Sequence, residues 1–158
     1  MKSRFIIAGL TLAAFLLGAT AAHGQSLNPI HWIKKSPSAS EELAANKDEN
    51  KKLSAQLQAI LPPRMSLNDA CLAFKNLTDC VTALHVSHNL KVKFSCLKWD
   101  LTAVQPSGNV SACKRPEDGK AMNLVKAIHL LKPEADAKVE AKAAEKRARE
   151  DIKDATNS

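Results

Sequence analysis

Two groups of residues in this chain have types and spacing that can do chemistry: four cysteines, Cys71, Cys80, Cys96 and Cys113, and a histidine pair, His85 and His88. Thiols form disulfides, redox couples or metal sites. The last two need CxxC-type spacing or a setting that lowers the thiol pKa, and neither is visible around these four. His85 and His88 form an HxxH pair, and side chains three apart on a helix share a face, as metal ligands must. There is no HExxH and no acidic residue at ligand spacing, so a third ligand would come from His129 or from His31. A core or capping imidazole is the simpler reading, and a metal-binding protein is the alternative. No carboxylate stands in an apolar setting that would perturb it. Asp69, Asp79 and Asp100 read as cap or surface residues. There is no GxSxG, no SxxK and no Cys beside a motif His. The residues therefore supply no catalytic group and imply no cofactor, and an enzyme is not expected.

The elements that must position these residues are helical. The 158 residues suffice for one modest domain. Aromatics make up 4% of the chain, with no Tyr and 5 Gly, and Ala, Lys, Glu and Leu recur. That is the alphabet of helices rather than of a β-sandwich, a Rossmann domain or a P-loop. About five helices are expected. The first begins after Ser38, which makes a capping box with Glu41, and stops before Pro62 and Pro63. Its seam of Leu43, Leu53, Leu57 and Ile60 runs through Asn46 and Asn50, a coiled-coil spacing with a polar middle. A core helix follows from the cap Ser66 to about His88, with Leu67, Ala70, Phe74, Leu77, Val81 and Leu84 at helical spacing. Leu90, Val92 and Phe94 alternate with lysines as a short extended return. A short helix covers 95–103, a loop 105–119, and another helix 120–131. The last helix, 134–155, opens at Pro133, is rich in Ala and carries opposite charges four apart. It reads as solvated on most faces, its Ala seam packing antiparallel along the first helix.

On one continuous core helix, Cys71 and Cys80 lie on opposite sides and about 13 Å apart along the axis. A disulfide needs Cα atoms within about 7 Å, so this pair is excluded as long as the helix is unbroken. Cys96 reaches Cys80 easily once the chain turns back. Two pairings remain, and Cys80 with Cys96 and Cys71 with Cys113, the second pinning the 105–119 loop to the core helix, is preferred over Cys71 with Cys96 and Cys80 with Cys113.

Disulfides fit an exported chain, and the N-terminus reads as an address. Lys2 and Arg4 precede an apolar run, Phe5 to Leu17, that ends in small residues, the order of a signal peptide cleaved near Gly24. Thirteen helical residues reach about 20 Å, short of a membrane span of about 30 Å. The expected divisions are a signal peptide at 1–24, an extended leader at 25–37 with Trp32 as an anchor, and one helical domain at 38–158. Cleavage removes Lys2 and Arg4 and no acid, so the formal charge falls from +7 to +5. That excess is scattered, with no basic element interleaved by aromatics, which argues against a nucleic-acid partner.

The stretches Phe74-Lys75-Asn76-Leu77, Cys80 through Leu90, Lys126-Ala127-Ile128 and Leu131-Lys132-Pro133 resemble a group of small exported bacterial proteins of uncharacterised function. The resemblance implies an exported helical protein, secreted or periplasmic, and brings no activity with it. The leading expectation is a non-enzymatic interaction or structural module outside the cytoplasm. Its partner would be a protein or an anionic envelope polymer, or a second copy through the Leu/Asn and Ala seams, with no membrane span once the signal is removed.

Overall fold

A computed structural model describes residues 36–108, 110–115 and 119–157. The expected signal peptide, His31, Trp32 and most of the expected leader lie outside the described residues. Those that are described form seven helices and, among them, no strand: α1 (Ala39–Ala45), α2 (Lys47–Leu57), α3 (Leu67–Cys71), α4 (Leu77–Leu90), α5 (Phe94–Thr102), α6 (Leu124–Leu131) and α7 (Ala137–Asn157). The all-α class holds. The count exceeds five because two of the expected helices are each broken in two.

The first break falls at Asn46. The Ser38–Glu41 capping box forms as expected, but Asn46 leaves helical geometry (φ −124°, ψ 83°) and ends α1. Asn50, the other seam asparagine, becomes a junction. Its amide donates to the Leu43 carbonyl at 3.3 Å and to Asn68 Oδ1 at 3.1 Å, and its Oδ1 accepts from Ser54 Oγ. The polar seam thus joins α1, α2 and α3 within one chain. It does not form a continuous coiled-coil stripe.

The second break decides the covalent frame. Cys71 ends α3, Ala73 turns through a left-handed conformation at φ 73°, and Asn76 restarts the chain as the N-cap of α4. The Asp79 amide donates to Asn76 Oδ1 at 2.8 Å, and the Asn76 amide donates back to the Asp79 carboxylate at 2.9 Å. A positive φ at alanine costs about 1 kcal/mol. Neighbouring contacts offset it: buried Phe74 accepts the Ala39 amide at its carbonyl, and the Glu42 carboxylate accepts the Leu77 amide. With the helix broken, Cys71 and Cys80 come to 5.2 Å between Cα atoms and form a disulfide, and Cys96 pairs with Cys113 at 5.1 Å. The pairing expected from an unbroken helix, Cys80–Cys96 and Cys71–Cys113, is therefore corrected. Its premise of one continuous helix from Ser66 to His88 does not hold. The connection after α5 is tethered through Cys113 to α5 itself.

The core is built around α4, whose Leu77, Cys80, Val81, Thr82, Ala83, Leu84 and Val86 are buried. Thr82 satisfies its hydroxyl on the Thr78 carbonyl at 2.7 Å. Against α4 lies α7, with Ala137, Ala141, Ala144, Ala148 and Ala155 buried along one stripe. Side chains this small let two helix backbones approach closely. The expectation that the last helix lies chiefly along the first is corrected: α7 packs most extensively on α4, with α2 and α6 flanking it. The rest of α7 is solvated. Of the four ion pairs expected there, Lys146–Glu150 and Arg149–Glu145 form, while Glu134 turns to Lys132 and Asp151 to His85. No described helix is long and apolar enough to cross a membrane.

Candidate functional site

Two concavities meet at residues 121–123, just before α6. One is a groove of about 620 Å3 along α6 with half-buried Met122, Val125 and Leu130 as its floor and exposed Lys120, Lys126 and His129 on its rim. None of its lining residues is acidic. Asn123 caps α6 by accepting the Lys126 amide at 2.9 Å, so the positive helix end adds to the basic rim. The other is a cleft of about 340 Å3 between the start of α4 and the end of α5. Phe74, Leu101, Met122 and Leu124 form its apolar part, and Lys75 and Asp79 its charged edge. A mostly apolar concavity with a few polar groups is the usual form of a binding site.

The disulfides brace these walls. The nine-residue separation of Cys71 and Cys80 encloses Phe74, Lys75 and Asp79, and the seventeen-residue separation of Cys96 and Cys113 encloses Leu101 and Thr102, all of which line the cleft. The Met122 amide donates to the Asp100 carbonyl at 2.8 Å, fixing the wall shared by groove and cleft onto α5. Lys98 ties α5 to α3 by donating to the Asp69 carbonyl at 2.8 Å. Burial holds its ammonium below the ordinary lysine range, with Asp69 opposing.

Asp100 overturns the expectation that no carboxylate is perturbed. Its side chain is 0% exposed, and neither oxygen has a hydrogen-bond partner. Burial pushes its pKa up to about 6, the nearby Arg115 guanidinium pulling the other way. Arg115 is itself engaged: it stacks 4.4 Å over the centre of the Trp99 ring and donates to the Gly119 carbonyl. The spacing Cys96, Leu97, Asp100 was the available signal, since positions three and four apart share a helix face. The expected consequence is a pH-dependent stability. Because the native state favours the protonated acid, Asp100 contributes stability fully below about pH 4, and this is lost as pH rises through about 6. Discounted for screening, the effect is on the order of 1–2 kcal/mol. Denaturant titrations at pH 4 and pH 7 should show Asp100→Asn losing less stability than the wild type over this interval. Equal losses would contradict the assignment.

The histidine pair is divided. His85 Nε2 lies 2.6 Å from Asp151 Oδ2, a half-buried contact joining α4 to α7, whereas His88 is exposed on α4 and not in the middle of its apolar stripe. His129 sits on the α6 groove, and His31 lies outside the described residues. Among the described residues no group of three or more His, Cys, Asp or Glu side chains is placed to hold a metal ion. Asn76, the first residue of an Asn-X-Thr triplet, is occupied as the α4 cap, and Asp69 and Asp79 serve as cap partners. Neither a family model, nor a curated protein, nor a solved structure matches this chain.

Proposed function

We propose that this is an exported bacterial protein acting outside the cytoplasm as a non-enzymatic binding module, and that the α6 groove receives an acidic, amphipathic segment of a partner protein. The observation that carries the reading is the pairing of an apolar floor with a rim of one sign. Met122, Val125 and Leu130 call for apolar side chains, and Lys120, Lys126 and His129 for carboxylates. An anionic envelope polymer would satisfy the rim and leave the floor unused, so a protein segment is the better fit. The two disulfides, which enclose residues of the adjoining cleft, accord with an oxidising compartment.

The test is an NMR titration of the oxidised protein with a short peptide alternating Glu and Leu at low salt. Amide shifts are expected at Met122, Val125 and Lys126, and they should weaken at least tenfold in apparent affinity in Lys126→Glu. A like charge against an acidic ligand costs more than the lost attraction alone. Shifts scattered over the surface, or equal binding of a fully polar polyanion, would overturn the reading.

A further inference from the structure

We propose that Asp100 and Arg115 form a pH-sensitive switch: with Asp100 protonated the guanidinium rests on Trp99 and Gly119, and loss of that proton draws it onto the carboxylate, shifting the adjoining wall of the α6 groove.

The structure shows the first position and leaves Asp100 free to attract Arg115 into the second. In the first, Arg115 has a ring to stack on and a carbonyl to bond, and Asp100 is left buried with no partner at either oxygen. That arrangement suits a neutral acid. An ionised carboxylate without a partner in such surroundings is among the costliest groups a protein can bury. Arg115 is always charged and close enough to act on Asp100 electrostatically, so it is the group that can relieve the cost. Among the described residues, Arg115 is the one charged group acting on Asp100. The buried residues of α4 (Leu77 to Val86) and of α6 (Ala127 and Ile128) include no titratable side chain other than disulfide-bonded Cys80. His85 on α4 is held by Asp151, and Lys98 on α5 is turned to Asp69. Lys114 acts on Glu134, and Lys120 is exposed. Because Arg115 holds the Gly119 carbonyl, and Lys120 follows directly, a move of the guanidinium pulls on the groove wall. Only that last consequence rests on the binding proposed above; the switch itself does not.

The test follows Trp99 fluorescence from pH 4.5 to pH 8 in a Trp32→Phe background. A step with a midpoint near 6 is expected, since the cation leaves the ring as Asp100 ionises. Asp100→Asn should abolish the step, which assigns it to that carboxyl. Arg115→Gln should move the midpoint to higher pH, because Arg115 favours the ionised form. A flat signal in a protein whose circular dichroism stays native, a step that persists in Asp100→Asn, or an unmoved midpoint in Arg115→Gln would each overturn the switch.

Discussion

Reducing both disulfides is expected to remove a large part of the domain's stability. In the chain-entropy account a cross-link contributes according to the length of chain it closes, and separations of 9 and 17 residues correspond to about 3 kcal/mol each. Together they supply about 6 kcal/mol. A domain of this size has a total stability of about 5–15 kcal/mol, so the staples hold much of the margin. The melting temperature should fall by about 20 °C or more on adding a phosphine reductant, read by calorimetry. The variants Cys71→Ala/Cys80→Ala and Cys96→Ala/Cys113→Ala should each lose about half of that. A melting temperature unchanged by reduction would mean that the helical core stands without its staples.

The second large effect is expected at Leu84. This side chain is 0% exposed in the middle of α4, the helix around which the core is assembled. Leu84→Ala should cost about 3–5 kcal/mol, toward the upper end for such truncations, because the cost grows with the cavity that remains. With α7, α5, α1 and α3 all packed on α4, the surroundings of Leu84 are held from several sides and collapse little into the void. The informative control is Leu72→Ala in the α3–α4 turn. Leu72 is 60% exposed, so its loss should change stability by no more than about 0.5 kcal/mol. Denaturant titrations of the two variants check the contrast, and similar losses would contradict the placement of the core.

Much of the frame is legible from residue pattern alone. Ser38 and Ser66 each accept a first-turn amide as expected, and the Ala stripe of α7 is buried where its spacing places it, whereas α6 and α7 begin after Asn123 and Asp136 rather than at 120 and 134. Periodicity fails at the α3–α4 turn for a physical reason. Leu67, Ala70, Phe74, Leu77, Val81 and Leu84 are all buried in the folded chain, as a continuous helix would have them. A break that keeps its apolar residues facing the core leaves no mark on the apolar pattern. The mark lies in polar chemistry: Asn76 with Asp79 three residues on is a cap signature, and reading it as helix interior led directly to the wrong disulfide pairing. The histidines were misplaced for a related reason, since a helix that starts at Leu77 buries a face broad enough to include Thr82, Ala83 and Val86 while leaving His88 in solvent.

The candidate site was less legible than the frame. Its groove arises where residues 121–123 meet α5 and α6, a juxtaposition set by the Met122 amide on the Asp100 carbonyl and by the Cys96–Cys113 bridge. Neither contact is local in sequence. The excess of lysines over residues 119–133 was visible, but not that Met122, Val125 and Leu130 would floor a groove between them. Asp100 is legible only through its spacing from buried Cys96 and Leu97; its flanking Trp99 and Leu101 give no sign of which way the carboxyl points.

The most direct test of the account is a tryptic map, without reduction, of the protein recovered from outside the cytoplasm. Cleavage at Arg64, Lys75, Lys91, Lys93, Lys98 and Lys114 places the four cysteines on four separate peptides. The broken helix and the bridges that enclose the cleft walls predict 65–75 linked to 76–91, and 94–98 linked to 99–114, with no free thiol. Peptide 76–91 linked to 94–98, or unpaired thiols in the exported protein, would contradict it.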